Sequence, residues 1–218
     1  MIVVLLGPPG SGKGTQGERV AAALGVPKIS TGDVLRAAAQ AGTSLGLAAK
    51  AFMDRGDLVP DPVILGIMKE ALSAPEQARG VVLDGVVRTV PQAEGLARVA
   101  AEIGKQVDVI LLFDIDDELL VARLSARATC AACHSPVAGR QPGEVHAECT
   151  ASPKGMLVRR ADDEPDAIRN RLRVYKAQTE PVVAWYRTHG GNVQAIDAAG
   201  SFEDVAQRAL AAVGVVGR

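Results

Sequence analysis

The stretch Gly7-Pro8-Pro9-Gly10-Ser11-Gly12-Lys13-Gly14-Thr15 follows five apolar residues, Ile2–Leu6, and opens a helical pattern from Lys13 to about Leu24. Glycines at this spacing let successive backbone N–H groups turn inward and ring a phosphate. The N-terminus of the following helix adds the positive end of its dipole. Such a loop needs a short buried strand before it and a helix after it, so the chain is constrained at once to an α/β architecture. Lys13 is placed to reach the outer phosphates of a nucleotide. Gly10, Ser11, Gly12, Gly14 and Thr15 are the expected phosphate contacts beside it. A Ser or Thr usually follows the lysine directly; here Gly14 intervenes before Thr15.

The rest of the chain keeps the same alternation. Val81–Asp84, Val107–Phe113 and Asn192–Ile196 read as further short strands. Helical periodicity falls at Val63–Leu72, Pro91–Ile103, Asp117–Arg127, Asp166–Thr188 and Phe202–Val213. This order predicts a doubly wound parallel sheet of about five strands with helices on both faces, and a ligand site at the carboxyl ends of the strands. Two stretches break the pattern and read as insertions on that core. Residues 30–60 are helical without a buried strand, and residues 128–163 are rich in Gly, Pro, Cys and charge.

Charge excludes some partners. The 24 basic and 25 acidic residues leave a formal charge of -1, so no basic field points to nucleic acid and no polybasic run to a membrane surface. No segment approaches the roughly 20 apolar residues of a membrane span. The first residues lack the basic region and long apolar stretch of a secretory leader. A cytoplasmic monomer is the expectation.

Beyond the loop, several segments resemble the adenylate kinase family in order and spacing, and the resemblance covers nearly the whole chain. They are Ile29-Ser30-Thr31-Gly32-Asp33-Val34-Leu35-Arg36, Met53–Asp61, Leu83-Asp84-Gly85 with Arg88-Thr89 and Pro91-Gln92-Ala93, and Arg160-Ala161-Asp162-Asp163 with Arg171. The GKGT form of the loop is also similar to nucleoside monophosphate kinases. The resemblance implies reversible Mg²⁺-dependent transfer of the ATP γ-phosphoryl group to AMP, giving two ADP. The alternatives are a kinase acting on UMP or CMP and an ATP-binding regulatory protein without transfer activity. The implied organisation is a core of residues 1–29, 61–125 and 165–218, an AMP-binding lobe of residues 30–60, and a lid of residues 126–164.

The residue roles follow from the same resemblance. Arg123 and Arg127 face ATP with the loop. Thr31, Arg36, Asp57, Leu58, Val59, Gly85, Arg88 and Gln92 form the AMP site. Arg160 and Arg171 bridge the AMP phosphate and the transferring group. Asp84 orients Mg²⁺, and Asp33 is either a second member of that water network or a helix cap. Lys13, Asp84, Arg88, Arg127, Arg160 and Arg171 form the catalytic set. Arginine suits this work because its planar fork binds phosphate oxygens in pairs. One departure stands out. The family's Asp-Gly-Phe-Pro-Arg is Asp84-Gly85-Val86-Val87-Arg88 here. A cis bond before a non-proline costs about 2.5–4 kcal/mol, so Val87 is expected to carry a trans bond and the loop to shift.

Three cysteines fall in the second insertion. Cys130 and Cys133 form a C-x-x-C knuckle, and Cys149 follows with Ser152 where a fourth thiol would stand. Three readings stay open: structural zinc, a metal-free cluster of thiols and hydroxyls, and redox chemistry. For zinc, Ser152 is a poor fourth ligand, and His146 or His134 is the candidate nitrogen.

Overall fold

A computed structural model describes residues 1–75, 79–133, 135–137 and 140–215; His134 lies outside them. The main sheet is built from β1 (Ile2–Leu6), β2 (Lys28–Ser30), β3 (Val81–Asp84), β4 (Val107–Asp114) and β8 (Val193–Asp197). Its order is β2-β3-β1-β4-β8, and every pairing is parallel. The five-stranded parallel sheet expected from the alternation is therefore present.

The apolar run of β1 is explained by burial on both faces. Ile2, Val4 and Leu6 point to one side, with Val81, Leu83 and Ile110. There they meet α4 (Asp61–Ser73), α5 (Val90–Glu102) and α8 (Glu180–Thr188) through Ile64, Met68, Leu96 and Val182. Val3 and Leu5 point to the other side, with Val82, Leu111 and Phe113. That side is covered by α1 (Lys13–Leu24) and α9 (Phe202–Ala212) through Val20, Ala21, Val205 and Ala209. Two further helices, α2 (Thr31–Gln40) and α3 (Ser44–Arg55), stand between β2 and β3 in sequence and pack on each other. No helix among the described residues is long and apolar enough to cross a membrane.

Three features depart from the sequence reading. Strand β2 has only three half-buried residues, too few to show a period, and it forms by pairing with β3. The Gly- and Cys-rich stretch after α6 (Asp117–Ser125) holds a small antiparallel sheet of order β6-β5-β7. Its strands are β5 (Ala128–Cys130), β6 (Pro136–Val137) and β7 (Leu157–Val158). The long helical pattern at 166–188 is broken. Helix α7 (Pro165–Val174) passes through a π-helical turn, Tyr175–Thr179, before α8. Pro181 explains this: it offers no N–H, and its ring collides with a carbonyl one regular turn back.

Phe113 lies at the end of β4 under the phosphate loop and is fully buried. Gly7 passes so close that a Cβ on it would sit 2.4 Å from the Phe113 carbonyl oxygen, and its φ is +139°. Replacing Phe113 with Ala is expected to cost about 3–5 kcal/mol of stability, read from urea denaturation midpoints. A loss under about 1 kcal/mol would show that this layer does not support the loop.

Candidate active site

The loop between β1 and α1 presents Lys13 at the carboxyl ends of the strands. The Lys13 ammonium donates to the carbonyl oxygens of Gly7 at 2.6 Å and Pro8 at 2.7 Å. Burial pushes this group from its usual 10.5 down to about 7. Asp84 opposes that shift, and Arg88, Arg171 and Arg127 reinforce it. Asp84 ends β3, and its carboxylate comes so close to Gly14 that a Cβ there would be 3.2 Å from Oδ2.

The arginines converge on the same mouth from four directions. Arg36 comes from α2, Arg88 from the β3–α5 loop, Arg127 from the end of α6, and Arg160 and Arg171 from the segment leading into and along α7. Their mutual repulsion is visible in their proton affinities. Solvent reaches Arg88, yet the cleft walls desolvate it, and Arg171 and Arg36 add to the lowering. Desolvation, then Arg36 and Arg127, bring Arg160 down to about 10. Arg171 is lowered by burial and by Arg127 and Arg36, against the pull of Asp162 and Asp163. Arg160 Nε is buried with no hydrogen-bond partner among the described residues.

Two carboxylates hold this cluster. Asp163 is 1% exposed. It accepts from Arg127 Nε at 2.7 Å and Nη2 at 2.5 Å, and from Arg171 Nη1 at 3.0 Å. Asp162 lies 3.2 Å from Arg171. Burial would raise the Asp162 pKa, but Arg171, Arg127, Arg160 and Arg36 outweigh it and hold the carboxyl below its ordinary range. Sequence reading quoted both acids within a motif but gave them no role.

The remaining expected residues are placed as follows. Thr31 is buried and donates to the Gly85 carbonyl at 2.8 Å. Ser30 caps α2 by accepting from the Asp33 N–H at 3.3 Å, and Asp33 pairs with Arg36, so the cap is Ser30 and not Asp33. The carboxylate of Asp57 turns to Arg55 and Asn170. Leu58 is half-buried, and Val59 joins the core. Gln92 is 1% exposed; its Oε1 accepts from the Arg88 N–H and its Nε2 donates to Asp61, which leaves one amide N–H unspent. Arg123 donates to the Ala198 carbonyl at 3.1 Å, at the edge of the cluster. The Val86–Val87 bond is trans, since the single cis bond among the described residues is Ser152–Pro153. Both valines are 1% exposed and pack into the core, while Arg88 stays at the mouth.

A second cluster lies in the small sheet. The ligand atoms of Cys130, Cys133, His146 and Cys149 all lie within 4.8 Å of one another. Cys130 and Cys149 sulfurs are 3.5 Å apart, and the Cys133 sulfur is 3.3 Å from His146 Nδ1. Among the described residues, the histidine that joins the three cysteines is His146. A hydrogen bond from Ser135 is the main cause that brings the Cys133 thiol down to about 5, whereas burial raises that of Cys130.

The comparisons agree with this geometry. The family model for adenylate kinase matches residues 5–191. An adenylate kinase of Gemmatimonas aurantiaca is 61% identical over 213 residues, covering 98% of this chain and 99% of its own. Those of Nitrosococcus oceani and Methanosarcina acetivorans are 47% and 46% identical, each over 87% of this chain and 88% of their own. A phosphate loop, a mouth lined by five arginines and a family match over most of its length together place the chain in the adenylate kinase family of phosphotransferases.

Proposed function

We propose that this protein catalyses the reversible transfer of the ATP γ-phosphoryl group to AMP, giving two ADP. The observation that carries this reading is the convergence of Lys13 with Arg36, Arg88, Arg127, Arg160 and Arg171 on one mouth. Phosphoryl transfer requires positioning and neutralisation of charge more than covalent help. Two nucleotides supply the oxygens that such a set of donors lacks.

Gly10, Ser11, Gly12, Gly14 and Thr15 hold the ATP phosphates with Lys13, and Arg123 and Arg127 hold the donor nucleotide from the lid side. Arg36 and Arg88 take the AMP phosphate. Thr31, the Asp57–Val59 segment, Gly85 and Gln92 line the rest of its site. Arg160 and Arg171 span the two nucleotides. Residues 30–60 serve as the AMP lobe, residues 126–164 as the lid, and residues 1–29, 61–125 and 165–218 as the core. Closure of both would exclude water and spare ATP from hydrolysis.

Asp84 fits a Mg²⁺ that arrives with ATP, because a hard carboxylate stands beside the loop where the phosphates belong. The ion would neutralise phosphate charge as it builds. In the lid, Cys130, Cys133, His146 and Cys149 fit structural Zn²⁺. Ligands about 2.3 Å from a tetrahedral zinc lie about 3.8 Å apart, close to the spacing of this cluster. Gly155 leaves the room, since a Cβ on it would fall 2.5 Å from the Cys130 sulfur. Among the described residues, the hydrophobic cluster buried in the lid is Ala128, Cys130 and Leu157. So small a core needs a cross-link.

The same reading takes the protein as a monomer. The near-neutral charge supports small nucleotides as partners in place of nucleic acid or membrane. Three free cysteines support a reducing cytoplasm.

Replacing Lys13 with Met is expected to lower kcat about 100-fold or more in a coupled assay of ADP formation, with the fold retained by circular dichroism. Near-normal turnover would sink the assignment of the loop. The depressed Lys13 pKa carries a sign. At about pH 8 the free group is largely neutral, and a bound polyphosphate raises its pKa, so ATP binding should take up close to one proton. Calorimetry in buffers of different ionisation enthalpy reads this directly, and affinity should fall as pH rises above about 7. Equal enthalpies in all buffers would contradict it. For the lid, purified protein is expected to hold one zinc per chain. That zinc should be lost or weakened in His146→Ala and retained in Ser152→Ala, with cobalt substitution giving a tetrahedral spectrum. Zinc that survives His146→Ala unchanged, or metal-free wild type, would reject this ligand set.

A further inference from the structure

Arg88 reaches the mouth of the cleft at the end of a loop whose two valines are buried, so something must fix the backbone that carries it. Three contacts do this. Its N–H donates to Gln92 Oε1 at 2.7 Å, and its own Nε donates back to the Gly85 carbonyl at 3.0 Å. Its carbonyl oxygen accepts from the hydroxyl of Thr179 at 2.9 Å, 91 residues away in sequence.

Gln92 is itself anchored. Its Nε2 donates to Asp61 at 2.7 Å, and the same carboxylate oxygen accepts from Thr89 at 3.1 Å. Thr179 is 6% exposed and is the last residue of the π-helical turn Tyr175–Thr179. Within that turn the N–H of Glu180 bonds to the Tyr175 carbonyl, five residues back. One extra residue in a helix turns the register by about 100°. That rotation sets which way the Thr179 side chain points. In a regular helix a threonine hydroxyl readily bonds the carbonyl one turn back along its own chain; here it bonds the Arg88 peptide instead.

We infer that Thr179, presented by this π-helical turn, is a positioning residue for Arg88 in acceptor binding, with Gln92 and Asp61 holding the peptide on the other side of the same residue. This rests on the reading that Arg88 binds the AMP phosphate. A residue clamped at both its N–H and its C=O replaces the stiffness that a proline at position 87 would bring. Thr179 acts through the direction in which the guanidinium leaves the backbone. Losing the hydroxyl also leaves the Arg88 carbonyl without this donor, so the loop has reason to move.

The test is steady-state kinetics of the full chain with AMP and ATP varied in turn. Thr179→Val keeps the shape and removes the donor. It is expected to raise the KM for AMP about 5- to 30-fold, to leave the KM for ATP within about 2-fold, and to be rescued by Thr179→Ser. Thr179→Ala serves if the valine variant does not fold. Melting temperatures are measured alongside. Equal rises for both nucleotides, or rates that merely track lost stability, would overturn the inference. Arg88→Ala separates the two layers of the argument. If it leaves the KM for AMP unchanged, the assignment of Arg88 falls and this inference with it. If Arg88→Ala is harmful while Thr179→Val is silent, the clamp alone is rejected. In the double variant, the Thr179 change should add less than 2-fold to the effect of Arg88→Ala; a full additive effect would mean Thr179 acts elsewhere.

Discussion

Repulsion between like charges is the constraint on which this molecule is organised. Six cationic side chains from five parts of the chain face one mouth, and Arg36, Arg88, Arg127 and Arg171 lower the proton affinity of their neighbours. Such a group would disperse unless buried acids held it. Asp163, almost fully enclosed, ties Arg127 to Arg171, and Asp162 adds a second contact to Arg171. The acids satisfy part of the cluster and leave the buried Arg160 Nε without a partner among the described residues. Preorganised charge of this kind costs no rearrangement when phosphate charge develops, which is how electrostatic catalysis works.

The sheet supplies the platform. Because all five strands run parallel, their carboxyl ends gather the phosphate loop, Asp84 and the Arg88 loop on one edge. Burial on both faces makes that edge rigid, and Phe113 underlies the loop. The small sheet is built on the opposite economy. Its strands are two or three residues long, and its buried apolar cluster among the described residues is Ala128, Cys130 and Leu157, beside the group Cys130, Cys133, His146 and Cys149.

Much of this was legible in the sequence. The run Ile2–Leu6 and the glycines after it name a strand and its loop because both signals are local. The same holds for the helices, whose period survives without knowledge of their partners. Legibility stopped where the local signal did. Strand β2 is too short to show a period, and the strands of the small sheet are shorter still. Residues 166–188 carry a continuous helical period, which gives no sign of the π turn at Tyr175–Thr179 or of the residue it re-aims. Val86-Val87 read as a displaced loop; the trans bond is there, but hydrogen bonds to Gln92 and Thr179 hold Arg88 at the mouth.

By itself, then, the sequence determined the phosphate loop, the parallel sheet and the identity of the cations, because glycine geometry, apolar periodicity and side-chain charge are properties of neighbouring residues. Only the tertiary structure decided which groups meet. It put His146 beside the cysteines, made Asp163 the common partner of two arginines, and brought Thr179 to the Arg88 carbonyl. Those pairings join residues far apart along the chain. A hydrogen bond forms only within about 3 Å, so its partners are set by how whole helices and strands pack.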